Sequence, residues 1–402
     1  MNKKYFKFLL PVLLLISFGI IMISSIGVPK SIDLTKSIND LYPSCDTQGV
    51  NCYYLLIKHL FRVFLGGVAL IVASKINYKI YKKYAVFGFS AMVITLFGVL
   101  ILGNSFNTTA TSWIVIFNSS FQPTEIAKIC MILYFAVWLD QKKSVLHDFQ
   151  KGFISFGILA SAIMLPVVLQ PDLGSSMVFG LIAFCMFFFA GAQKKHLLGT
   201  FLVAFIGTLL VLPTNPYLKH RLNAYINPSS DNCEVTQNGY RRDYCWQTQQ
   251  ANIAVASGGF FGQGLTKGTQ KSYWLPQASD DFVFAASAEE IGFFRSSMVV
   301  GLFMYLILNG FYFVKRIKEN YARLIILGVT TWIAGQAFIN IGVNIGLLPV
   351  TGITLPFISY GGSSMLATCF GVGVVINVIN NNLKNINENS TGRRGNRRTH
   401  YS

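Results

Sequence analysis

The stretch Phe8-Leu-Leu-Pro-Val-Leu-Leu-Leu-Ile-Ser-Phe-Gly-Ile-Ile-Met-Ile-Ser-Ser-Ile-Gly-Val28 carries no charged residue. About 20 apolar residues in helical form cross the hydrocarbon core of a bilayer, so this run is long enough to span, and the chain repeats the pattern to its end. Of the 402 residues, 52% are hydrophobic and 12% charged, with a mean hydropathy of +0.49. A soluble domain carries charges at about 25% of its positions. The reading is an all-α integral membrane protein of about ten transmembrane helices. The first run is longer than a signal-peptide core and no A-x-A-like cleavage site follows it, so it reads as a retained anchor.

The net charge of +17 raises nucleic acid as a partner, but the placement of the charges argues against it. Basic residues gather at every second connection: Lys3, Lys4 and Lys7; Lys75, Lys79, Lys82 and Lys83; Lys142, Lys143 and Lys151; Lys194 and Lys195; Lys315, Arg316, Lys318 and Arg323; and Arg393, Arg394, Arg397 and Arg398. That alternation is the positive-inside signal and sets topology. The expected spans are 8–28, 54–74, 85–103, 122–140, 153–170, 174–192, 197–214, 283–314 with a break near Gly292, 322–346 and 357–380. Both termini are then cytoplasmic, and a large extracellular segment, 215–281, joins helices 7 and 8. Residues 1–380 form one membrane domain with 215–281 as an ordered outer platform. The tail 381–402, rich in Asn and Arg without apolar periodicity, is expected to be disordered.

Loops as long as 215–281 are usually functional or disordered. This one has a basic start at Lys219, His220 and Arg221, a candidate surface helix from Gln247 to Ala256, and a glycine-rich stretch from Ser257 to Leu265. Cys130, Cys185 and Cys369 fall inside apolar runs, whereas Cys45 and Cys52 share the first outer loop and Cys233 and Cys245 the largest one. Four outer-face cysteines suggest disulfides, most simply Cys45–Cys52 and Cys233–Cys245, although three pairings are open.

Sixteen acidic residues in a chain of this size make each one near the membrane informative. Glu125 and Lys128 stand three apart on one helix face, the spacing of an ion pair; its plain meaning is structural, its functional one the wall of a substrate cavity. Asp172, ahead of Leu-Gly-Ser-Ser, suits a helix N-cap. Asp281, with Asp280 beside it, reads more readily as the cap of the helix beginning at Phe282, with Glu289 and Glu290 about two turns deeper. A carboxylate at an outer membrane rim beside an ordered loop is also where a general base for a lipid-linked substrate belongs. The five histidines, His59, His147, His196, His220 and His400, lack metal-ligand spacing. Gly262, Gly264 and Gly268 do not form a phosphate loop. Pro356-Phe-Ile-Ser-Tyr-Gly-Gly-Ser-Ser364 interrupts the entry to the last span with backbone that must be buried in protein or face a wet cavity.

Several ordered segments resemble one family. Phe121-Gln-Pro-Thr-Glu-Ile-Ala-Lys128, Gln170-Pro-Asp-Leu-Gly174, Ser257-Gly-Gly-Phe-Phe-Gly-Gln-Gly-Leu265, Leu275-Pro-Gln-Ala-Ser-Asp-Asp-Phe282, Ala288-Glu-Glu-Ile-Gly292 and the run from Gly346 to Ser364 are similar, in order and spacing, to motifs of the shape, elongation, division and sporulation (SEDS) family, nearest its division-type branch. The resemblance covers about 113–380. It implies a peptidoglycan glycosyltransferase of the bacterial cytoplasmic membrane that polymerises lipid II on the outer face, with Asp281 as the essential carboxylate. Within it Arg221 and Lys267 would meet the donor pyrophosphate, and Gln122, Glu125, Lys128, Asp172, Ser359 and Ser363 would line the substrate site. No organic cofactor is implied; Asp280 and Asp281 are the candidates to hold a divalent cation (Mg or Mn). The implied partners are a class B penicillin-binding protein, a single-span transpeptidase, and other membrane proteins of the division or elongation machinery. Three departures stand out: Ser279-Asp280 replaces the family's usual His-Thr, Asn227-Pro228 its Asp-Pro, and the cysteine-bearing 229–245 segment is atypical. Two other classes compete with the enzyme: a lipid II flippase, and a non-catalytic scaffold for the transpeptidase.

Overall fold

The structure, a computed structural model, describes residues 3–37, 43–103, 112–116, 119–193, 195–196, 199, 216–227, 233–237, 240–243, 245–272 and 274–396. Helix α1 (Lys3–Ile26) is followed by the short α2 (Val28–Thr35), then α3 (Tyr54–Lys75) and α4 (Tyr78–Leu102). A hairpin of β1 (Ile114–Ile116) and β2 (Ser119–Phe121) leads into α5 (Pro123–Gln141), α6 (Ser155–Leu169) and α7 (Leu173–Phe189). The segment between α7 and the closing helices holds α8 (Pro216–Ile226), a second hairpin of β3 (Glu234–Gln237) and β4 (Tyr240–Asp243), and α9 (Trp246–Ser257). The chain closes with α10 (Val283–Arg316), α11 (Asn320–Asn344) and α12 (Gly362–Asn396).

Among the described residues seven helices are long and apolar enough to cross a membrane, as befits a multi-pass membrane protein. Helix α7 is apolar but shorter, and α5 carries Glu125, Lys128 and Asp140 in every window of spanning length. The expected span 197–214 lies outside the described residues except Gly199. The two small hairpins qualify the all-α expectation: each pairs short extended segments that hydropathy does not mark. Beyond Asn380 the helix runs on to Asn396, where composition argued for disorder. Once a membrane span has nucleated a helix, each further residue adds one hydrogen bond at little cost, and no proline interrupts this tail.

Where lipid is the solvent, helices associate through close packing rather than through hydrophobic exclusion. Helices α3 and α12 make the largest contact in the bundle. It is close because Gly66 sits against Met365 and Cys369, and because a Cβ at Gly373 would overlap the Leu70 carbonyl. Helix α11 is buried from Tyr321 to Asn344 on nearly every side, with Trp332 at its middle, and forms the axis of the bundle. Phe61, Phe64, Phe87 and Ile94 on α3 and α4 stay exposed, as lipid-facing residues do.

Helix α10 breaks at Gly292, whose φ of +77° and ψ of 176° lie where only glycine is at ease. The break is filled by the 258–265 loop: Phe293 N–H donates to the Gly259 carbonyl at 2.9 Å and Phe294 N–H to the Phe260 carbonyl at 3.1 Å. Gly264 N–H in turn donates to the Glu290 carbonyl at 2.9 Å. A Cβ on Gly292 would overlap the backbone of Phe261 and Gly262. Gly292→Ala is therefore expected to destabilise the protein by at least about 1–3 kcal/mol. A melting temperature in detergent equal to that of the wild type would contradict this packing.

Candidate active site

The site is assembled where the polar face of α11 meets the start of α10. Gln336, Asn340 and Asn344 recur every four residues, so they form one stripe along a helix otherwise buried in apolar contacts. Such groups stay buried only when bonded, and each of them holds irregular backbone. Gln336 Nε2 donates to the Thr354 carbonyl at 3.1 Å. Asn340 Nδ2 donates to the carbonyls of Asp281 and Ile353, both at 2.7 Å. Asn344 Nδ2 donates to the Asp281 carbonyl at 2.9 Å, while its Oδ1 accepts the Ala285 N–H at 2.8 Å.

That last contact corrects the capping expectation for Asp281. The N-cap of α10 is Phe282, without a side-chain bond of its own, and the cap oxygen comes from Asn344 on the neighbouring helix. The Asp281 carboxylate is thereby released from capping while its backbone is fixed twice. Asp172 does cap α7: its Oδ1 accepts the Ser175 N–H at 2.9 Å.

The loop before α10 doubles back at Gln277, whose carbonyl accepts from Asp280 N–H at 3.0 Å and Phe282 N–H at 3.3 Å. Tyr360 N–H donates to the Ser279 carbonyl at 2.9 Å, and Ser359 Oγ donates to the Asp280 carbonyl at 2.6 Å. Burial lifts the Asp281 carboxyl to about 7, and the neighbouring Asp280 adds to the rise. Arg221 and Lys30 oppose it, and Asp172 adds a little more. Burial likewise raises Asp172, against the bonds from Ser175 and the nearby charge of Lys128. Three carboxylates and two cations thus share one electrostatic centre drawn from four segments of the chain. Because Asp281 titrates above its unfolded value of 3.8, its ionisation costs the fold stability. That cost is absent below pH 3.8, grows as pH rises, and is complete above about pH 7.

The other expected residues fall into place around this centre. Lys128 Nζ reaches Glu125 Oε1 at 2.5 Å and Gln336 Oε1 at 3.1 Å, with both charged side chains buried. Glu125 Oε2 is buried without a hydrogen-bond partner among the described residues. Gln122 Nε2 donates to Asp172 Oδ2 at 3.3 Å, which links this pair to the turn before α7. Arg221, on α8, donates to the Val350 carbonyl at 3.0 Å.

Ser359 and Ser363 bond to the backbone around the site. The Ser359 hydroxyl accepts the Leu355 N–H at 2.8 Å as well as donating to Asp280, and Ser363 Oγ accepts the Gln122 N–H at 3.0 Å. Both are buried and serve the backbone of the site. Lys267 stands exposed on its loop. The buried lysine there is Lys271, which meets Glu290 Oε1 at 2.6 Å and Ser25 Oγ at 2.8 Å. Glu289, also buried, accepts from Thr269 N–H at 2.8 Å and Gln270 N–H at 3.1 Å, so the two glutamates fasten the 258–272 loop onto α10.

Cys45 is bonded to Cys52 and Cys233 to Cys245. As metal donors, Asp280 and Asp281 fit poorly. Lys30 already holds an Asp280 oxygen at 2.5 Å, and among the described residues no third carboxylate or imidazole joins the two. The sequence reading missed Lys30, Asn340 and Asn344. Lys30 was legible, with Lys36, as one of two cations in the segment between the first two spans, and the asparagines as a four-residue polar repeat inside an apolar span.

The FtsW, RodA and SpoVE family model, described as cell cycle protein, matches residues 6–384. Among curated proteins the chain is similar to the "Probable peptidoglycan glycosyltransferase FtsW" of Geobacter sulfurreducens, 33% identical over 92% of this chain and 93% of that one. It is 32% identical to "Stage V sporulation protein E" of Bacillus subtilis, over 91% and 94% of the two chains. Among solved structures, a chain of a peptidoglycan synthase complex that coordinates polymerization and crosslinking shares the fold with a TM-score of 0.70 at 24% identity, covering 93% and 97% of the two chains. The rod shape determining protein RodA of Thermus thermophilus does so with a TM-score of 0.64 at 22% identity, over 94% and 97%.

Proposed function

Because the chain belongs to the FtsW, RodA and SpoVE family of cell cycle proteins, we propose that it is a peptidoglycan glycosyltransferase that polymerises lipid II, with Asp281 as its general base. The carrying observation is the Asp281 carboxyl itself, half-buried, relieved of capping, and titrating at about 7 between Arg221 and Lys30. A base works best when its pKa lies near the working pH. Asp281 takes the proton from the 4-hydroxyl of the acceptor sugar as that oxygen attacks the anomeric carbon of the donor with inversion. The new C–O bond forms as the bond to pyrophosphate breaks, and undecaprenyl pyrophosphate departs with the electron pair. A leaving group that good needs no protonating acid, unlike the alcohol expelled by glycosidases with their paired carboxylates. Arg221 faces the developing negative charge. A Mg or Mn ion at Asp280 and Asp281 stays a proposal outside this scheme, because two carboxylates, one already paired, do not make a site.

The same reading places the protein in the bacterial cytoplasmic membrane with both termini in the cytoplasm and the 215–281 platform outside. It gives the enzyme a class B penicillin-binding protein as partner, alongside other membrane proteins of division or elongation. The basic clusters support that orientation, and the names of the relatives support the peptidoglycan glycosyltransferase activity.

The test is a pH profile of glycan formation from labelled lipid II. The base must be ionised, so kcat rises with pH through an acid limb near 7. Asp280→Asn removes the neighbouring negative charge that holds the Asp281 value up, so the limb moves to lower pH. A wild-type profile flat from about pH 5 to 8 removes Asp281 from the role of base.

A further inference from the structure

The catalytic loop is held from one side by α11 and from another by α2. Lys30 Nζ meets Asp280 Oδ2 at 2.5 Å and the Gln277 side-chain oxygen at 3.1 Å, at the two ends of the turn that presents Asp281. Gln277 itself has a φ of +55°, a conformation unfavourable for a residue with a side chain, so the turn depends on what surrounds it.

Helix α2 is built to hold Lys30 there. Ser31, next to it and fully buried, accepts the Leu55 N–H at 3.0 Å and donates to the Gly27 carbonyl at 2.7 Å. Thr35 Oγ1 accepts the Asn51 N–H at 2.9 Å, and the Cys45–Cys52 bridge closes the loop that returns to α3. Two anchors to the start of α3 and a disulfide are more than a surface loop needs. The ion pair does not explain them as stability. Its side chains are 37% and 19% exposed, and pairs in contact with solvent contribute little to folding.

We propose that Lys30 is a positioning residue of the active centre: α2 uses it to pin the extra carboxylate of Asp280 and the Gln277 turn, and so to set the orientation and charge balance of Asp281. The proposal rests on the glycosyltransferase reading. Without Lys30, Asp280 is an uncompensated negative charge beside the base, and the turn loses its clamp. The defect then lies in the chemical step and is relieved by removing the charge that Lys30 neutralises.

The experiment measures kcat and KM for lipid II polymerisation by the full-length protein with its transpeptidase, comparing wild type, Lys30→Arg, Lys30→Met and Lys30→Met with Asp280→Asn. Lys30→Met is expected to lower kcat on the order of 10- to 100-fold while KM changes less than about threefold. Lys30→Arg retains most of the rate, and the double variant recovers at least about half of the loss on a logarithmic scale. Should Lys30→Met fail to fold, Lys30→Gln, which keeps a polar side chain without the charge, takes its place in the same comparison. A wild-type rate in Lys30→Met, an effect confined to KM, or a double variant as slow as Lys30→Met overturns the proposal and leaves the enzyme reading intact. No polymer from the wild type overturns both.

Discussion

Asp281→Asn is expected to reduce kcat for glycan polymerisation by on the order of 10²- to 10⁴-fold, with lipid II still bound and the fold kept. The structure separates these effects because the two halves of the residue do different work. Its carbonyl takes the bonds from Asn340 and Asn344, which asparagine preserves, and capping of α10 belongs to Asn344. Only the carboxylate is lost. Since its ionisation costs the fold stability above about pH 7, the variant should melt at or slightly above the wild-type temperature at pH 8. The decisive reading is the pair of numbers, rate and melting temperature, on one preparation. A loss in rate below about tenfold would assign the proton transfer to another group, with Asp280 first in line.

The largest stability effect is expected at the buried ion pair. Lys128→Met leaves Glu125 charged, buried and without its partner, with one oxygen already lacking a hydrogen bond among the described residues. Breaking such a pair from one side costs about 3–5 kcal/mol, mostly as an unpaired buried charge. Lys128→Met with Glu125→Gln removes that charge and should recover much of the loss. The comparison is made by unfolding in detergent, and equal melting temperatures for single variant and wild type contradict the account. Activity falls with the single variant as well, because Lys128 also bonds to Gln336, whose amide holds the Thr354 segment.

Features set by local spacing were open to sequence reasoning. The lengths of the apolar runs mark the seven described helices long and apolar enough to span; the three-residue offset of Glu125 and Lys128 puts them on one face; the glycine at 292 is where α10 breaks; and Asp172 caps the helix it precedes. What escaped depends on residues far apart in the chain. No local rule predicts that Asn344 caps a helix beginning at Val283, and this is why Asp281 read as the cap. Nor does it predict that Lys271 rather than Lys267 is buried against Glu290, since either lysine lies within reach of the loop. Lys30 reaches Asp280 across 250 residues. The hairpins and the helical continuation to Asn396 were missed for another reason: the one needs only a few paired residues, the other only an uninterrupted helix, and hydropathy reports neither.

A peptidoglycan glycosyltransferase makes glycan from lipid II, whereas a flippase only carries it across the membrane, and one preparation separates the two. The purified protein, co-expressed with its transpeptidase, is incubated with labelled lipid II, and the products are separated on a gel. In parallel the same preparation is placed in liposomes and scored for movement of lipid II between leaflets. The account predicts a ladder of polymer from the wild type and from Asp280→Ala, and none from Asp281→Ala. A folded wild-type sample that makes no polymer yet moves lipid II between leaflets would contradict it and establish a transporter.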